Sequence, residues 1–274
     1  MNKKQPSNRL FAYLLLVIAI LTVICILASV ALLILTVAKR DRGEESPPAP
    51  DAPTAAPLSE APLSESADAG MEYIDQMIFF GESTTTHLRA RGVLSDGKET
   101  HQVWANSSGT QMLSSKMLSE TIIYPPTGEN LTISKAAEAE KPAYIVLSFG
   151  LNGIMNFVNN KDSYINNYNK LIDTVTQASP NTKIILQSVY PISASCDDFS
   201  SDGKTVCGYT ETLNGYLAEI AALHENVRYV DTASVLKNAD GTLNPAYDDG
   251  DGIHLNTAAY EQILHYLRTH AWQD

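Results

Sequence analysis

Positive charge is scarce in this sequence. Lys and Arg number 19 against 31 Asp and Glu, a formal net charge of −12. The imbalance persists in residues 71–274, with 13 basic and 24 acidic side chains. General basic surface is what grips nucleic acid or clamps anionic lipid. Both modes are disfavoured, while neutral glycans and short polyanionic segments at a local site stay compatible. Cysteine is scarcer still, at three residues. Cys25 lies in an apolar run, and no second cysteine pair stands near Cys196 and Cys207 to complete a zinc cluster. Neither an EF-hand loop nor an HExxH pattern occurs, and no internal repeat is visible.

Charge is missing altogether from residues 10–38, LFAYLLLVIAILTVICILASVALLILTVA. Those 29 residues exceed the roughly 20 that cross a bilayer. They also exceed the apolar core of a cleavable signal peptide, usually about 7–15 residues. An uncleaved signal anchor is expected, with residues 1–9 cytoplasmic and the remainder outside; cleavage near the end of the run is the minor alternative. Residues 39–70 form a linker rich in Pro, Ala and acidic side chains, too poor in apolar residues to build a core. Its prolines favour extension to roughly 90 Å at most. Residues 71–274 suffice for one domain. If that domain lies outside, a disulfide between Cys196 and Cys207 is expected, with two unpaired thiols as the alternative.

Within that domain, short apolar runs alternate with amphipathic ones. Strands are expected at 77–80, 101–105, 143–150, 183–189 and 227–230. Helices are expected at 111–120, 134–141, 162–178, 210–224 and 257–269. The alternation implies an α/β fold whose mainly parallel sheet is covered on both faces. Ligands bind such sheets beyond the strand C-termini.

Three polar motifs fall at such places. In FFGESTTTHL, residues 79–88, Ser83 follows a strand and a tight turn; it is either a helix cap or a nucleophile beside backbone N–H groups. In SFGLNGI, residues 148–154, Asn152 is either a turn residue or an amide donor. In DGDGIHL, residues 249–255, Asp251 and His254 could orient and supply a base; loop capping and cation binding are the alternatives. His87, close to Ser83, reads as a first-turn surface or packing residue, with substrate contact as the alternative.

Together the three motifs resemble the blocks of the SGNH, or GDSL-type, hydrolase family, in order and across most of residues 74–270. The resemblance implies a three-layer α/β/α sandwich and a serine esterase with the triad Ser83, Asp251 and His254. It implies an oxyanion hole made by the Ser83 N–H, a glycine N–H and the Asn152 side chain. Gly109 in ANSSGTQ is the best match for the glycine. No cofactor and no metal are implied. Two departures stand out: Glu82 occupies the usual Asp position, and Gly153 follows Asn152 where many members have Asp. With the anchor and linker, the expected substrate is an O-acetylated cell-wall or surface glycan, or another small ester. A lipid esterase, an acyltransferase and a noncatalytic glycan-binding domain are the alternatives.

Overall fold

The computed structural model describes residues 61–197 and 203–273. The run 10–38, expected to span the membrane, lies outside the described residues. Among the described residues no helix is long and apolar enough to cross a membrane. The last ten residues of the expected linker, 61–70, hydrogen-bond to the folded domain. Leu63 N donates to Tyr229 O (2.8 Å) and Ala69 N to Arg268 O (3.0 Å).

Among the described residues the helices and strands are, in chain order, α1 Met71–Ile74, β1 Met77–Gly81, α2 Ser83–Arg91, β2 Val103–Trp104, β3 Thr121–Tyr124, β4 Glu129–Thr132 and α3 Ile133–Glu140; then β5 Tyr144–Ser148, α4 Ile154–Val158, α5 Lys161–Ala178, β6 Lys183–Gln187, α6 Val206–Ala221, β7 Val227–Val230 and α7 Thr257–Thr269. The central sheet has the order β2-β1-β5-β6-β7, and all its pairs are parallel.

The two faces of the sheet follow from the two-residue period of strands. Ile78, Phe80, Ile145, Leu147, Ile184 and Leu186 enter one core, with α3, α5 and α6. Their neighbours Met77, Phe79, Val146 and Ile185 enter the other, with Leu88 of α2 and the apolar side of α7. Both faces are therefore dry, which makes the strands continuously apolar. The fold is the α/β/α architecture expected.

Local signals explain most element ends. Asn160, Thr205 and Asn256 cap α5, α6 and α7 by accepting backbone N–H groups. The Thr205 cap starts α6 at Val206, four residues before the expected start. Residues 111–120 do not form the expected helix, only a 3₁₀ turn at Met117–Ser119. Ser114 and Ser115 favour turns over helix interiors, and Met117 N bonds Ser114 O at 3.2 Å. The β3–β4 hairpin was not expected. Its turn carries Pro125, Pro126 and Gly128, and Gly128 N donates to Tyr124 O at 2.8 Å.

The expected disulfide is also absent: Cys196 and Cys207 are free thiols. Each sulfur faces a carbonyl. Cys207 Sγ donates to Ile192 O at 3.5 Å and Cys196 Sγ to Asp251 O at 3.6 Å. Burial pushes the Cys207 thiol up to about 11, so little of the nucleophilic thiolate forms near neutral pH.

Candidate active site

Register brings the first two motifs together. Gly81 at the end of β1 pairs with Ser148 at the end of β5. Ser83 and the Asn152 turn therefore leave the sheet at the same edge. Ser83 is the first residue of α2, where a backbone N–H has no partner within the helix. Glu82, at the N-cap position, makes no side-chain cap. Its buried carboxylate instead accepts the Gly150 N–H at 2.9 Å and the Asn152 N–H at 3.0 Å. Burial raises its pKa to about 7, against the opposing pull of those N–H groups. The glutamate thus ties the Asn152 turn to the Ser83 helix.

The second departure has a steric reason. Gly153 has φ +85°, and a Cβ there would lie 3.2 Å from Met112 Sδ. An aspartate at 153 would be strained by the backbone and pressed against Met112. Asn152 Nδ2 donates to Gln111 O at a long 3.4 Å, and an amide has two such hydrogens. Gly109 also reaches this region: Thr86 Oγ1 donates to Ser83 O at 2.8 Å and to Gly109 O at 3.4 Å. The Gly109 N–H, however, donates to Asn106 O within its own turn, at 3.1 Å.

The third motif arrives from the far end of the chain. His254 Nε2 lies 3.0 Å from Ser83 Oγ. His254 Nδ1 lies 2.6 Å from Asp251 Oδ2. With Nδ1–H donating to the carboxylate, Nε2 is left to accept the Ser83 hydroxyl proton. Asp251 Oδ1 accepts the N–H groups of Ile253 (2.9 Å) and His254 (2.8 Å). These bonds hold its carboxyl well below the usual carboxylate range, the His254 N–H foremost, then the His254 side chain and the Ile253 N–H.

The neighbouring aspartates shape the loop. Asp248 accepts from Ser193 Oγ (2.6 Å), Gly250 N (2.8 Å) and Gly252 N (3.0 Å), and Asp249 pairs with Arg91 of α2. Among the described residues no three His, Cys, Asp or Glu side chains are grouped to hold a metal ion. Gly252, at φ +82°, has no room for a Cβ, which would meet Cys196 Sγ at 2.4 Å. Tyr260 of α7 anchors the loop's far end by donating to Thr84 O at 2.6 Å.

Ser83, Asp251, His254 and Asn152 thus converge, and Gly109 joins them with its amide turned away. Reading the sequence missed two members. Glu82 was visible only as a departure from the family pattern. His87 packs on His254, with ring centres 4.7 Å apart; its position four residues after Ser83, one helical turn, was the available signal.

A hydroxyl, an imidazole and a carboxylate in hydrogen-bonded series can carry out acyl transfer. That places the molecule among proteins built on the serine-hydrolase plan. A GDSL-like Lipase/Acylhydrolase family profile matches residues 79–262, and the chain belongs to that family. Comparison with curated proteins finds no match. Among solved structures, a Streptococcus pneumonia protein provisionally described as a platelet activating factor is 20% identical, with TM-score 0.50, over 70% of this chain and 82% of its own. A Bacteroides fragilis protein provisionally described as an acylhydrolase is 18% identical, with TM-score 0.45, over 76% and 90%. A catalytic mutant of an acetylxylan esterase from Geobacillus stearothermophilus is 17% identical, with TM-score 0.39, over 77% and 97%. The first of these is a likeness of fold.

Proposed function

We propose that this protein is a membrane-anchored, extracytoplasmic serine esterase that removes O-acetyl groups from cell-wall or surface carbohydrate. The observation that carries the chemistry is the series Ser83–His254–Asp251, with contacts of 3.0 and 2.6 Å. In the first step the Ser83 hydroxyl proton moves to His254 Nε2 as Oγ bonds the ester carbonyl carbon. Asp251 accepts from Nδ1–H and stabilises the imidazolium. The Ser83 N–H and the Asn152 amide stabilise the oxyanion. Gly109 would join them only after its N–H turns away from Asn106. The intermediate collapses, the C–O bond breaks, and His254 protonates the departing alcohol. Water then loses a proton to His254 as it attacks the acyl-enzyme; the bond from the acyl carbon to Oγ breaks, His254 returns the proton to Ser83 Oγ, and acetate leaves.

Location and substrate rest on the sequence. The uncharged run 10–38 supports an anchor, and the proline-rich stretch after it supports a tether. A tethered domain can reach polymer beyond the bilayer. The acidic balance disfavours a polyanionic partner.

The test measures acetate release from 4-nitrophenyl acetate and from a panel of O-acetylated wall glycans, beside Ser83→Ala. Ser83-dependent release from glycan is expected. Full activity in folded Ser83→Ala would sink the esterase reading; release only from the small ester would sink the glycan reading.

One observation favours a second reading, a lipid esterase. Met112, Met155 and Ile253 are exposed, and each lies within three residues in sequence of Asn152 or His254 or, for Met112, packs beside Gly153. Such side chains suit a longer acyl chain. Fatty-acid release from phospholipid exceeding acetate release from glycan would favour it.

A further inference from the structure

Ser83, His87 and Arg91 stand four residues apart on α2 and share one face of that helix. All three face the 249–254 loop. Ser83 Oγ meets His254 Nε2 at 3.0 Å, and Arg91 pairs with Asp249. Between these contacts the His87 and His254 rings lie 4.7 Å apart with a 35° tilt. His87 Nδ1 is buried and, among the described residues, has no hydrogen-bond partner. Leaving a buried polar atom so is unfavourable. The ring nonetheless holds its place against the His254 imidazole.

We propose that His87 is a positioning residue for the base, its ring lying against the His254 imidazole to hold that ring between Ser83 and Asp251 and to stabilise the imidazolium formed during turnover. The proposal rests on the serine-esterase reading above. Two bonds orient His254 within its own plane; a flat neighbour restricts its swing out of that plane. When the Ser83 proton arrives at Nε2, the His254 ring becomes a cation. An uncharged aromatic face within about 6 Å attracts it.

His87 itself must then be uncharged. The titratable and charged groups that face it are His254, Arg91, Asp249 and Asp251. Burial lowers its pKa most, and His254 and Arg91 lower it further, while the two aspartates oppose them. At neutral pH the ring is therefore neutral. At lower pH a charged His87 would repel the imidazolium. Proton uptake by His87 is therefore expected to lower activity on the acid side.

The test compares full-length wild type, His87→Ala, His87→Phe and Ser83→Ala on 4-nitrophenyl acetate across a pH series, with folding checked by circular dichroism. His87→Ala is expected to lower kcat about tenfold with little change in KM, the scale of a desolvated cation–ring contact. His87→Phe keeps a flat ring and is expected to stay within about threefold of wild type, with a shallower acid limb. Wild-type kcat in His87→Ala would overturn the proposal. So would a His87→Phe enzyme as slow as His87→Ala, or one with an unchanged acid limb. Should His87→Ala not fold, the His87→Phe acid limb decides alone. Ser83→Ala separates the two levels: if it stays active, the esterase reading itself fails. If it is inactive while both His87 variants match wild type, only the positioning role fails.

Discussion

Ser83 and Asn152 leave the ends of adjacent buried strands, whereas Asp251 and His254 sit on a loop that no strand of the sheet leads into directly. The two regions are stabilised differently. On the sheet side, β1 and β5 lie in two dry cores, and the buried Glu82 carboxylate ties their following turns together. On the loop side, the Asp251 side chain is 54% exposed and that of His254 27%. Order there comes from hydrogen bonds: Asp248 accepts two glycine N–H groups, Asp251 accepts those of Ile253 and His254, and Asn256 Nδ2 donates to Ala246 O and Asp248 O. A nucleophile can be placed by hydrophobic packing. A base that must gain and lose charge is better kept near water, where its cation costs less to form.

The largest effects are expected where the two regions touch. Ser83→Ala and Asp251→Asn should each lower kcat by roughly 10⁴-fold or more. Ser83→Ala should leave the melting temperature nearly unchanged, because a half-buried hydroxyl is lost without opening a core. Thermal melts beside initial rates check both halves of this expectation. A Ser83→Ala protein that melts much lower would mean the contact also holds the loop in place.

Next comes the oxyanion side. Asn152→Ala should cost about 10²–10³-fold in kcat, with KM less affected. An effect below about tenfold would shift the oxyanion role to backbone donors.

Glu82 separates the two regions by pH. Its carboxyl has an ordinary pKa of 4.5 and titrates near 7 when folded. The folded state therefore keeps its proton longer, and this group's contribution to stability falls as pH rises from about 4.5 to about 7. The drop is roughly 3 kcal/mol across that window. Urea unfolding of wild type and Glu82→Gln at several pH values should show this slope only in wild type. Equal slopes would mean that Glu82 titrates normally. Asp251 has the opposite sign: its lowered pKa adds stability above its unfolded value, lost only as pH falls through the folded one.

The smallest effect is expected at the clasp between the regions. Arg91 and Asp249 are partly exposed, so Asp249→Asn should change stability by at most about 1 kcal/mol. A larger loss, read from urea midpoints, would show that the loop depends on α2 for its order.

Much of the fold was legible beforehand. The strand Val227–Val230 and the helix Thr257–Thr269 stand where the apolar pattern and caps placed them. The three motifs were legible too: two follow predicted strands, where turns impose local rules on Gly, Ser and Asn, and the third was legible through its resemblance to the family's Asp-x-x-His block. The β3–β4 hairpin was obscured by Pro125-Pro126, which marked a chain stop and not a turn between paired strands. The Cys196–Cys207 pairing failed for a different reason. Spacing in a loop says nothing of which carbonyl each thiol will meet.

Composition and periodicity were enough to specify alternating strands and helices, buried strand faces and an acidic balance, and the family resemblance of the three motifs implied the residue types of the site. Those properties are local: each depends on neighbours within a few positions along the chain. Distances between residues 171 positions apart, as for Ser83 and His254, depend on strand order, register and helix packing instead. The folded chain alone shows that Glu82 holds the Asn152 turn, that the Gly109 N–H faces its own turn, and that His87 lies on the base. Each arises where elements remote in sequence compete for the same small volume.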